Sequence, residues 1–296
     1  MINFNHYTGD AFVLYKRAVE NKTDKAGKTV LEGVENSVES AYKSYDESFS
    51  NKNVHSLLPS NVFSQIEKEQ LYGLYGSNKK IVKDIRTWID NNNKRTYLRK
   101  CPYCTINSAN TTEHILPKKK YPEYAVHAKN LLPCCSECNS KKGENIKDEQ
   151  GKPIILNYYY DTLPNVQYLF VIISFDAKGI VDFEYRLDNR NNVNEDLFEL
   201  IESHYNKLDL LARFKAQAIN IYSELENSIL VDVKEQGVEN SLQTLRNKTV
   251  MDAADYGLNH WKVVLKLALA DSVDYSEYIK KNKTYENINN NIHEWS

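Results

Sequence analysis

The sequence predicts an α+β protein: mainly helical regions at both ends, a β-hairpin in the C-terminal half, and a small cysteine-rich module between them. Three observations carry this. Apolar residues recur at helical spacing near the N-terminus and again beyond residue 195. Two β-branched and aromatic runs between residues 166 and 185 flank a turn. All five cysteines fall between Cys101 and Cys138.

The elements follow in order. Residues 1–93 read as helical, with amphipathic spacing over 11–19 and 81–89. Gly9, Gly27 and Pro59 punctuate this region, and residues 48–53 form a loop by composition. Asn91-Asn92-Asn93 marks a boundary before the cysteine module, residues 94–148. Residues 149–296 form the third region. There, 166–175 is a strand, Asp176-Ala177-Lys178-Gly179 a turn, and 180–185 the return strand. After a polar linker at 189–194, one helix is expected over 197–225, a second over 238–247 and a third over 253–270, with Trp261 and Leu265 on one face. The tail, 287–296, is expected to be loose.

Composition narrows the function classes. Hydrophobic residues make up 41% and charged residues 26%, the balance of a folded protein with a core. No window approaches the apolar length of a membrane span, and the N-terminus has neither the basic flank nor the apolar stretch of a signal peptide, so a cytoplasmic location is expected. Net charge is −2, yet residues 94–147 hold eleven Lys/Arg against four Asp/Glu. A basic segment on an otherwise acidic chain points to an anionic ligand, nucleic acid first. Cysteines packed this closely in a cytosolic chain point to a metal rather than to disulfides.

Cys101-Pro-Tyr-Cys104 and Cys135-Ser-Glu-Cys138 are two Cys-x-x-Cys pairs separated by thirty residues. Two intervening residues let both sulfurs of a pair face one ion, so the four thiolates suit one tetrahedral Zn²⁺. Cys134 is the spare thiol. Such a zinc has no open position and is structural, so any chemistry lies elsewhere. Between and after the pairs stand Glu113-His114-Ile115-Leu116-Pro117, Asn130-Leu131-Leu132-Pro133 and Asn139-Ser140-Lys141-Lys142-Gly143.

With these residues the segment resembles the HNH (ββα-metal) endonuclease family: a Cys-x-x-Cys pair, an acid followed by His, Asn-Leu, then Cys-x-x-Cys followed directly by Asn. The resemblance implies a zinc-supported nuclease module in which His114 is the general base, activating water as a neutral imidazole. It implies Glu113 and Asn139 as ligands of a catalytic Mg²⁺ or Mn²⁺, and Asn130 as the residue whose hydrogen bonds orient His114. Lys118, Lys119, Lys120 and Lys142 are expected on the phosphate backbone, and His127 in solvent or on phosphate. Two positions depart from the commoner pattern: Glu113 stands where Asp is frequent, and Asn139 where the family name has its last His.

The text around Tyr121-Pro122-Glu123-Tyr124 and Asn130–Cys135, with the later Asn206-Lys207-Leu208-Asp209, is similar to HNH proteins of bacterial anti-phage operons, such as the Septu-type nuclease subunit that pairs with an ATPase. That implies a DNA-cleaving defence effector with an ATPase partner. The chain has no Walker-type loop of its own, so nucleotide hydrolysis would belong to the partner. One active site cuts one strand, so double-strand cleavage would need a homodimer or two visits. Two rival readings stand beside this one: a non-catalytic zinc module that binds nucleic acid or protein, and an RNase.

Overall fold

The computed structural model describes residues 3–94 and 99–282; Arg95 and the tail expected to be loose lie outside them. The described chain divides into two units, residues up to Leu163 and residues from Pro164 onward. The N-terminal region and the cysteine module thus share the first unit, together with residues 149–163.

In the first unit, Asp10 in an extended conformation accepts the Phe12 and Val13 amides and opens α1 (Ala11–Glu20). Asp24 caps α2 (Lys25–Gly33) by accepting the Gly27 amide, which places Gly27 inside a helix rather than at a break. Next comes α3 (Glu35–Ser50). It runs through Ser48, Phe49 and Ser50, where composition suggested a loop, because Tyr42, Tyr45 and Phe49 recur at helical spacing and are all buried. A full capping box of Ser64 and Glu67 opens α4 (Gln65–Ser77), and α5 (Lys79–Asn91) buries Ile81, Ile85 and Ile89 on one face. The cysteine module adds an antiparallel hairpin, β1 (Thr111–His114) with β2 (Leu131–Cys134), followed by α6 (Ser136–Lys142).

The long connection between β1 and β2 is held by α3. The Tyr45 ring lies 4.9 Å from that of Tyr124 and 4.2 Å from that of His127. Lys129 Nζ pairs with Asp46 at 2.8 Å. Each fully buried aromatic of this cluster contributes on the order of 1.5–3 kcal/mol of burial. His127 packs against this cluster at 0% exposure, so it is a core residue and not the solvent- or phosphate-facing one expected.

The second unit opens with a hairpin, β3 (Leu169–Phe175) and β4 (Val181–Leu187). Asp176 fixes its turn: its Oδ1 accepts the Lys178 and Ile180 amides, and Gly179 takes the positive φ the turn needs. The run expected as one helix is two, α7 (Glu195–Lys207) and α8 (Leu210–Gln236), broken where Asp209 adopts a left-handed φ of 54°. Then α9 (Val238–Tyr256) ends at Gly257, with φ 81°, so residues 253–256 do not join α10 (Trp261–Asp271). Last is α11 (Val273–Asn282), most of which falls within the region expected to be helical, though no separate helix was expected there. Helices α8 and α10 cover the hairpin, burying Phe183, Tyr185, Phe214 and Trp261. Among the described residues no helix is long and apolar enough to cross a membrane.

Candidate functional site

The four cysteines come together first. Cys101, Cys104, Cys135 and Cys138 are buried, with all four sulfurs within 4.8 Å of one another. The Cys104 and Cys135 sulfurs are 3.9 Å apart. A tetrahedral ion with bonds of about 2.3 Å needs edges close to that value. The first knuckle closes through the Thr105 amide on the Cys101 carbonyl at 2.8 Å. The second is the start of α6, where Cys135 is the N-cap and its sulfur accepts the Cys138 amide. The set suits a metal ion such as zinc. Cys134 stands outside it: burial pushes its thiol up to about 12, and Thr111 Oγ1 lies 3.5 Å from its sulfur.

The hairpin beside this centre sorts the remaining candidates by strand alternation. Thr112 and His114 share one face of β1, Thr111 and Glu113 the other. On the His114 face the imidazole Nε2 lies 3.0 Å from the Ala125 carbonyl, which fixes that nitrogen as the N–H and leaves Nδ1 as the lone-pair atom. Burial pushes the imidazole down to about 3, helped by Lys118 and Lys142, so the ring is neutral at ordinary pH. The Tyr75 ring of α4 stands edge-on to it at 4.5 Å.

Asn130 is fully buried and uses its whole amide. Its Oδ1 accepts the Leu116 amide at 2.7 Å, and its Nδ2 donates to the Leu116 and Tyr124 carbonyls, both at 3.1 Å. The Ile115 amide donates to the Asn130 carbonyl at 2.9 Å. These bonds fix the chain just past His114.

On the opposite face, α6 meets Thr111 and Glu113. Asn139 Nδ2 donates to Thr111 Oγ1 at 3.3 Å. Lys142, expected on phosphate, is instead buried, its side chain 1% exposed. Its ammonium donates to Glu113 Oε1 at 2.6 Å and to the His114 carbonyl at 2.9 Å. Burial pushes the Glu113 carboxyl up, against the pull of Lys142. The expected Mg²⁺ or Mn²⁺ does not fit this arrangement at Glu113, whose carboxylate is already neutralised by a fixed, buried ammonium; Asn139 spends only its Nδ2 on Thr111 and keeps Oδ1. Glu113 and Asn139 are thus brought to one face, and the His114 ring to the other.

The lysine run is not uniform. Lys118 Nζ lies 4.5 Å from the ring centroids of both Tyr72 and Tyr75, on the His114 side. Lys119 pairs with Glu144 at 3.3 Å, and Lys120 donates to the Glu144 carbonyl. Tyr72, Tyr75 and Tyr45 belong to helices in which the sequence reading found no chemistry. Scattered tyrosines carry no local signal that would have singled them out.

No protein-family model matches the chain, and no solved structure matches it. Protein ea31 of Escherichia phage lambda is 27% identical over 242 residues, 77% of this chain and 80% of that protein. The Septu protein PtuB of Bacillus thuringiensis is 42% identical over 71 residues, 22% of this chain and 26% of PtuB. The match to PtuB therefore spans about a quarter of that protein's length.

Proposed function

We propose that this chain is an HNH-type endonuclease that hydrolyses phosphodiester bonds in DNA, and that it acts in anti-phage defence beside an ATPase partner. The observation that carries the reading is the fixed neutral imidazole: His114 donates through Nε2 to Ala125 and keeps Nδ1 as a base, in a chain segment held by every polar atom of the Asn130 amide. Those are the roles the HNH resemblance assigns to these two residues. The defence role rests on the similarity to the Septu protein PtuB.

In this mechanism His114 Nδ1 takes a proton from water as the water oxygen bonds to phosphorus, the P–O bond to one sugar oxygen breaks, and that leaving oxygen takes a proton from solvent. A bound phosphodiester brings negative charge beside the imidazole, raising its basicity from the depressed value of the free protein. Lys118, held against Tyr72 and Tyr75, supplies positive charge on the His114 side for the phosphate. Cys101, Cys104, Cys135 and Cys138 would hold a structural ion that would join the Cys101 knuckle to the start of α6 and so set hairpin against helix.

The test is nicking of supercoiled plasmid by the zinc-loaded protein, with and without added Mg²⁺ or Mn²⁺ and with and without an ATPase partner, against His114→Ala. Nicking by wild type and not by the variant supports the reading. Equal activity of the two proteins, or no activity under every condition, rejects it. The second reading, a non-catalytic zinc module, is favoured by one observation: the Glu113–Lys142 pair closes the face where the resemblance places a catalytic ion. DNA binding unchanged in His114→Ala, with no cleavage by either protein, would select it.

A further inference from the structure

Lys142 sits among oxygens. Its ammonium, at the last residue of α6, donates to Glu113 Oε1 at 2.6 Å and to the His114 main-chain carbonyl at 2.9 Å. A carboxylate and a carbonyl are ligand types a hard divalent cation also takes. The side chains of the pair are 1% and 5% exposed, so water screens neither charge. Lys142 also borders a cavity of about 40 Å³ shared with Ile115, Leu116, Asn157 and Asp161, a volume sufficient for a water.

We infer that Lys142 is the built-in cation of this site: its ammonium, in place of a divalent ion, neutralises Glu113 and anchors the carbonyl of His114. The inference rests on the nuclease reading for its importance, and concerns which positive charge that site uses. Three features of the fold support it. The helix register that sets Cys138 on the metal cluster and Asn139 against Thr111 also carries Lys142 onto Glu113 one turn later. A divalent ion on Glu113 would lie beside a fixed like charge in a place where screening is weak. The His114 carbonyl, the second oxygen an ion there would take, already accepts from the same ammonium at 2.9 Å. Lys142 is thus a positioning residue. It ties α6 to the strand end that presents His114, so the metal requirement of the chain is confined to the four cysteines.

The test uses Mn²⁺ alone, titrated by electron paramagnetic resonance into the zinc-loaded full chain, comparing wild type with Glu113→Gln, Lys142→Ala and the Lys142→Ala/Glu113→Gln double variant. The inference expects wild type and Glu113→Gln to bind Mn²⁺ alike. It expects Lys142→Ala to gain a site roughly tenfold tighter, lost again in the double variant. A Mn²⁺ site in wild type that Glu113→Gln abolishes overturns it. If Lys142→Ala does not fold, the wild type and Glu113→Gln titrations decide the matter alone. The nuclease reading fails separately, by absence of nicking under every metal condition, because the titration reads the Glu113 site whether or not DNA is cut.

Discussion

The Tyr45 hydroxyl on α3 donates to Asn130 Oδ1 at 3.3 Å and to the Lys129 carbonyl at 3.2 Å, reaching across 85 positions of sequence to the residue that fixes the chain beside His114. A helix with no chemistry of its own therefore braces the candidate site. Tyr45→Phe keeps the ring packing and removes these bonds, at an expected cost of about 1 kcal/mol. The cost should appear as a lower thermal midpoint. An unchanged midpoint would mean that the contact contributes nothing.

Asn130→Ala should be far more damaging. It strands the Leu116 amide and carbonyl and removes the tie to Tyr124, all of them buried. The expected loss is about 2–4 kcal/mol in urea denaturation. Asn130→Asp keeps one acceptor, loses both donors and buries a charge, so it should be no better. A loss below about 1 kcal/mol for either variant would contradict the bonding described.

The chain should bind one zinc through the four clustered cysteines. Cys138→Ser should lose the metal and with it the order of the hairpin and α6, whereas Cys134→Ser should keep full stoichiometry. Elemental analysis of the purified variants decides between them. Zinc loss in Cys134→Ser would mean that the ligand set is wrongly drawn.

Two histidines should make the first unit acid-sensitive. Burial, with Lys129 beside it, holds His127 well below its ordinary pKa, and burial holds His114 at about 3. The unfolded chain, with histidine near 6.5, takes up protons that the folded chain refuses. Stability contributed by these groups is therefore lost as pH falls below about 6.5. Asp161 acts in the opposite sense: burial raises it to about 6, so protonation of the folded form offsets part of the loss between about pH 4 and 6. Melting temperatures between pH 7 and 5 should fall less steeply in His127→Phe and more steeply in Asp161→Asn than in wild type. Parallel slopes would refute the assignment.

Two lysines of the run should separate in DNA binding. Lys118→Gln should weaken binding and reduce the salt slope by about one, as loss of one phosphate contact does. Lys119→Gln should do less, because Lys119 is paired with Glu144. Fluorescence anisotropy at several salt concentrations measures both, and equal effects would show that Lys118 has no special place.

Local chemistry was legible from the residues alone. The cysteine knuckles span three peptide bonds each, and the Asp176 turn is written in its own side chain, so neither depends on distant packing. The breaks at Asp209 and Gly257 were harder to read, because apolar spacing continues through both of them. A single left-handed residue redirects the chain there without disturbing the pattern on either side. Gly27 misled in the other direction: an Asp cap upstream outweighed the helix-weakening effect of glycine.

By itself the sequence determined the α+β class, the four cysteines that could hold a metal and the order Glu113-His114, Asn130, Asn139, since these depend on residue type and on short spacings. Only the tertiary structure decided what those residues touch. It brought Lys142 onto Glu113 across 29 positions, buried His127 among the tyrosines of α3, and set the Tyr75 ring against His114. A lysine reads as solvated in one dimension because its charge is costly to bury. It can be buried here because the fold supplies a carboxylate and a carbonyl at hydrogen-bonding distance, and that pairing exists only once helix and hairpin have met.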